Sequence, residues 1–203
     1  MRSKGVWAAL FVGFLMLFVL VAIGTDPSSP VKGSLAVAAG DQVVPVCNEY
    51  LARFAAHRLP VFATRCWHTP AHCSFAERGG PWPPHCIAGT PGARFPPELQ
   101  LPEDVFIISK GTSSEADAYS AFEGTHLGEL LRAQAVRRVF VGGLATDYCV
   151  LNTVSDALAR GYQSVLLEDA IRAVNVKPGD GERAIEQMLS AGAQVADLQR
   201  LRA

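Results

Sequence analysis

The sequence predicts an α/β domain in three layers, with a central parallel sheet covered by helices on both faces. Three observations carry that expectation. Apolar runs of strand length fall at residues 60–64, 105–109, 139–141, 164–167 and 194–196. Stretches with helical spacing of apolar residues separate them, at 41–56, 127–135, 147–160 and 180–191. Strands alternating with helices of that length need long crossovers, which join parallel neighbours. A chain of 203 residues suits one such domain. Hydrophobic residues make up 49% and charged residues 18%, enough apolar material for a packed core. The formal net charge of -1 leaves no basic excess for a phosphate backbone, so no nucleic-acid partner is expected.

The first element is open to three readings. Arg2 and Lys4 precede an apolar run over residues 6–23, with Gly13 its only small break. Eighteen apolar residues sit at the lower edge of what spans a bilayer. A basic start before an apolar stretch also suits a secretory signal. The back half, 18–23, would serve as a buried strand, because a short apolar run has no period that separates strand from helix. A right-handed crossover needs a strand before the helix at 41–56, and this run is the only apolar candidate upstream. Residues 1–24 are therefore expected either as anchor or signal or as an extension plus first strand, and 25–203 as the main α/β domain. The chain is expected to be cytoplasmic if residues 18–25 form the strand, and membrane-anchored or exported otherwise.

The helix at 41–56 carries Val43, Val44, Val46, Leu51, Phe54 and Ala55 on one side. Residues 65–102 hold eight prolines and read as a long irregular segment. Loops of that length inside a compact domain are usually functional. The strand at 105–109 runs directly into Lys110. The strand at 139–141 leads into Gly142 and Gly143, then a turn, then the helix at 147–160, with Thr146 or Asp147 as its expected N-cap.

Three places carry candidate chemistry. Cys149 falls in the first turn of a helix that follows a strand. Exposed N–H groups and the partial positive charge of a helix start favour thiolate, the reactive form of cysteine. Ligands bind at the C-terminal edge of parallel sheets, where this turn falls. Lys110, also at a strand end, would bring an ammonium close to Cys149. Cys66, His68 and His85 supply thiolate and imidazole donors in numbers that suit a catalytic metal with open positions. His72 and Ser74 are further candidate ligands. The competing reading of Cys66, Cys73 and Cys86 is a disulfide in an exported protein.

Seven stretches together resemble the nicotinamidase branch of the isochorismatase-like cysteine hydrolases: GSLAV at 33–37, TRCWH at 64–68, GPWPPHC at 80–86, GTPGA at 89–93, KG at 110–111, AYSAFE at 118–123 and GLATDYCV at 143–150. The resemblance implies hydrolysis of nicotinamide to nicotinic acid and ammonia through a thioester on Cys149. It implies Lys110 as the partner lysine, and an oxyanion held by the N–H groups of Ala145 and Cys149 after a cis Leu144–Ala145 peptide. It implies a divalent metal, expected to be zinc, on Cys66, His68 and His85, and a ring pocket lined by Trp82 and Tyr119. A small carboxamide is the expected partner, and a homo-oligomer stays open, as does membrane contact through 6–23.

The sequence departs from the family pattern twice. The family's aspartate ligand is Cys66 here, a softer anionic donor that favours zinc. The family's Asp-Val-Gln-Asn-Asp-Phe-like segment after the first strand, whose first aspartate is the general base, is missing. Setting residues 9–12 against that strand puts Gly13 at the base position. Setting 19–25 there makes Asp26 the base, and Asp26 is the only carboxylate before Asp41. An impaired or non-catalytic relative, or a hydrolase of another small amide, is the alternative function.

Overall fold

The computed structural model describes residues 14–20 and 37–201. Six strands form one sheet in the order β3-β2-β1-β4-β5-β6, and every neighbouring pair is parallel. The strands are β1 (Phe14–Leu20), β2 (Val61–Cys66), β3 (Phe106–Lys110), β4 (Arg138–Leu144), β5 (Gln163–Arg172) and β6 (Gln194–Ala196). The helices are α1 (Val43–Ala56), α2 (Leu127–Ala133), α3 (Leu151–Ala159) and α4 (Asp180–Ser190).

β1 lies between β2 and β4 and pairs with both, so the apolar N-terminal run does supply the sheet's first strand. It begins at Phe14, four residues before the expected start at residue 18, and its described residues run to Leu20. Asp26 lies outside the described residues. Among the described residues no helix is long and apolar enough to cross a membrane.

Successive strand residues point to opposite faces, and both faces are buried. In β4, Val139 and Val141 pack with α2, α3 and α4 through Leu127, Leu131, Val154, Ala157 and Met188. Phe140 between them faces α1, where Val43, Cys47, Tyr50, Leu51 and Phe54 are buried. Those two apolar layers hold the sheet between one helix and three.

Strand order reverses at β1 and β4, as chain succession runs outward to β3 on one side and to β6 on the other. In doubly wound sheets such a reversal opens a crevice beyond the C-terminal strand ends. β2, β3 and β4 end at that edge in Cys66, Lys110 and Leu144.

Candidate active site

Strand register brings the first two site residues together. Cys66 and Lys110 are cross-strand partners at the last positions of β2 and β3. Cys149 reaches them from the other side of β1. After β4 the Leu144–Ala145 peptide is cis, as the resemblance implied, and the chain enters a wide helical turn over Thr146–Val150 before α3 begins. Neither Thr146 nor Asp147 caps that turn with its side chain. Ala145 holds the cap position, and the Asp147 carboxylate instead accepts the backbone N–H groups of Val174 and Asn175 at 2.9 and 2.8 Å. Asp147 thus ties the turn that carries Cys149 to the segment after β5.

The Lys110 ammonium is 1% exposed. It donates to Cys66 Sγ at 3.1 Å, to Cys149 Sγ at 3.3 Å and to the Ala118 carbonyl at 2.8 Å. Burial disfavours its charge, but the sulfurs of Cys149 and Cys66 outweigh that and hold it above the ordinary lysine range. Between the sulfurs, the hydrogen bond with Cys149 is the largest influence holding Cys66 well below the ordinary thiol range. The same bond pushes Cys149 well above it, with burial adding to the rise and Lys110 opposing it. One negative charge is therefore shared by a sulfur pair against one ammonium, and the pair titrates as a unit.

Cys66, expected beside His68 and His85 as a metal ligand, has its sulfur hydrogen-bonded to Cys149, Cys86, Lys110 and His68. β2 ends at Cys66, and beyond it His68 bridges to Ile87, yet both side chains enter the same pocket. Three imidazoles gather. The His68 ring centroid lies 4.1 Å from that of His72 and 4.9 Å from that of His85. Each Nδ1 is engaged: His68 with the Gly111 carbonyl at 3.0 Å, His72 with Ser74 Oγ at 2.7 Å, His85 with the Pro83 carbonyl at 2.9 Å. Burial lowers the basicity of His72 and His85 first of all, favouring the neutral rings that bind metals. Gly111 permits the closeness. Its φ is +62°, and a Cβ there would lie 2.6 Å from His68 Cε1.

The donor chemistry fits a divalent cation. Nδ1–H held by a carbonyl leaves Nε2 as the ligating atom of His68 and His85, whereas His72 Nδ1 accepts the Ser74 backbone N–H at 3.2 Å, so its neutral ring carries the proton on Nε2, which has no hydrogen-bond partner among the described residues. Among the described residues no group of three or more His, Cys, Asp or Glu side chains is already arranged around a metal position. All five cysteines are free thiols in the structure, and no bridge joins Cys66, Cys73 or Cys86.

Cys66, His68, Trp82, His85, Tyr119 and Cys149 line one pocket. Trp82 Nε1–H donates to the Tyr119 hydroxyl at 2.8 Å. Tyr148 completes the aromatic wall, edge-on to Trp82 with ring centroids 5.0 Å apart. The sequence offered Cys86 only as a disulfide candidate, and it did not single out Tyr148, the residue before Cys149.

The isochorismatase domain pattern matches residues 19–200, and the chain belongs to that family. It is 35% identical over 187 residues to the nicotinamidase of Escherichia coli, covering 82% of this chain and 88% of the relative. It is 35% identical over 171 residues to the nicotinamidase/pyrazinamidase of Mycobacterium tuberculosis, covering 80% and 89%. The pyrazinamidase of Pyrococcus horikoshii, solved in complex with zinc, superposes with a TM-score of 0.82 at 45% identity, covering 90% of this chain and 99% of that one. The fold is accordingly the three-layer isochorismatase-like one, and the protein is an enzyme of the amidohydrolase class.

Proposed function

We propose that the chain hydrolyses nicotinamide to nicotinic acid and ammonia, with Cys149 as the nucleophile. The observation that carries the reading is the Lys110 ammonium, buried and donating to Cys149 Sγ at 3.3 Å beside a pocket walled by Trp82, Tyr119 and Tyr148. The substrate ring lies between those aromatics, and the carboxamide carbon faces the sulfur. Cys149 sulfur bonds to that carbon, and the carbonyl oxygen takes the negative charge. The N–H groups of Ala145 and Cys149 hold the oxyanion, which is where preorganised donors contribute most. Asp26 takes the thiol proton and gives it to the leaving nitrogen. Its support is that β1 ends at Leu20 beside Leu144, at the same sheet edge as the nucleophile turn. Ammonia departs, and water attacks the thioester to release nicotinate and regenerate the thiol.

Cys66, His68 and His85 would hold a divalent metal, their side chains drawing together on binding. Zinc is favoured because the neutral imidazoles and thiolate are its usual ligands. When bound it supplies a Lewis-acidic position for the pyridine nitrogen, which orients the ring. Support comes from the zinc-bound Pyrococcus horikoshii structure, from the contact of the Cys66 sulfur with His68, and from the Nδ1 bonds of His68 and His85, which leave each Nε2 as the ligating atom.

Two measurements test the reading. Purified protein should release ammonia and nicotinate from nicotinamide, and added hydroxylamine should divert the acyl group to nicotinohydroxamate. Turnover without hydroxamate would remove the thioester route. Asp26→Asn should lower kcat by about 10²- to 10⁴-fold, the usual contribution of a positioned base. An unchanged kcat would remove Asp26 from the mechanism.

A further inference from the structure

We propose that Cys66 and Cys149 form a reversible disulfide when the protein meets a hydroperoxide, with Cys66 as the thiol that resolves oxidised Cys149. Two sulfurs sit on a single ammonium nitrogen, at 3.1 and 3.3 Å from Lys110 Nζ, and hydrogen-bond to one another. Both line the substrate pocket, so a molecule as small as hydrogen peroxide reaches them by the route the substrate uses. A cation beside a cysteine is the setting in which sulfur reacts with peroxides, and a neighbouring thiol diverts the sulfenic acid to a disulfide before further oxidation. The aspartate of the family pattern at position 66 could not do this. Cysteine there changes what the site can become.

The chemistry balances with hydrogen peroxide as the oxidant. Cys149 sulfur attacks one peroxide oxygen, the O–O bond breaks, and one water leaves with the thiol proton, giving Cys149 sulfenic acid. Cys66 sulfur then attacks the sulfenic sulfur. The S–S bond forms, the S–O bond breaks, and the hydroxide leaves as a second water with the Cys66 proton. Two thiols are oxidised by two electrons in all, and one peroxide is reduced to two waters. The remaining cysteines provide references within the same chain. Cys86 touches Cys66, Cys47 is a buried residue of α1, and Cys73 is half-buried in the loop after β2.

The test is peptide mapping of the full chain. Reduced protein, freed of reductant, is treated with a few equivalents of hydrogen peroxide, denatured, blocked with N-ethylmaleimide and digested. The expected result is a cross-linked pair of peptides containing Cys66 and Cys149, with Cys47 and Cys73 still alkylated. Dithiothreitol should then restore two thiols per chain. A bridge between Cys66 and Cys86, Cys149 as sulfinic acid with Cys66 still alkylated, or no loss of thiol would each overturn the proposal. Cys66→Ser should convert the reversible loss at Cys149 into an irreversible one. Because the readout is the bond itself, it decides the proposal whether or not nicotinamide is the substrate.

Discussion

Lys110 is the most demanding single residue in the structure. Placing an ammonium where it is 1% exposed costs several kcal/mol unless charge and hydrogen bonds return it. Two sulfurs and one carbonyl do so here. Lys110→Met should therefore lower kcat/KM by more than about 10²-fold, as expected when a group that stabilises developing charge is lost. It should also slow iodoacetamide labelling of Cys149 at neutral pH. The sign for Cys149 follows from its partners. The bond with Cys66 first, and burial second, push its thiol above the ordinary range, while Lys110 opposes them. Cys66→Ala removes the leading cause of that rise and leaves Lys110 to Cys149 alone. Its labelling profile should move to lower pH, and a shift upward would contradict the shared-charge picture. Trp82→Phe keeps the wall but loses the bond to Tyr119. A neutral hydrogen bond is worth about 0.5–1.5 kcal/mol, so KM should rise up to about tenfold with kcat little changed.

At the scale of elements, the site is made by where strands stop. The β2–β3 register sets Cys66 against Lys110, and Gly111 then turns with positive φ and leaves room for His68. Gly111→Ala should be costly on both counts, by about 1–3 kcal/mol from the backbone alone. A fall in Tm together with weaker zinc binding by calorimetry would show the two effects. Much of this layout was legible beforehand. An apolar strand running into Lys110, and another running through two glycines into Cys149, announce a C-terminal sheet edge with reactive residues. The meeting of Cys66 with His68 was legible in their spacing of two residues. The further contacts of the Cys66 sulfur with Lys110 and Cys149 were not, because those partners come from β3 and from the turn after β4. The expected cap at Thr146 or Asp147 went astray for a related reason. A carboxylate can satisfy any nearby N–H, and those of Val174 and Asn175 come from a segment far along the chain.

For the whole molecule, β1 matters most, since it is paired on both edges at the middle of the sheet. A chain starting at residue 25 should fail to fold, seen as loss of a cooperative thermal transition. A fully folded truncation would show that β1 is dispensable. The existence of this strand could be argued from topology, but its position could not, because an unbroken apolar run carries no period to fix register. The α1 layer makes a second global prediction. Burial first, then Asp169, raises the Cys47 thiol from 9.0 to about 12. The folded state keeps a proton that the unfolded chain loses above pH 9. This contribution is whole below pH 9 and disappears as pH climbs toward 12. Tm should fall across that window, and Cys47→Ala should flatten the fall.

The central claim is that Cys149 breaks the carboxamide bond, and Cys149→Ala tests it most directly. The variant keeps the aromatic pocket, so nicotinamide should still raise its Tm. Its rate of nicotinate formation should drop by about 10³-fold or more, the scale on which a lost nucleophile is felt. A variant that binds nicotinamide and still turns it over within about tenfold of the parent rate would contradict the account.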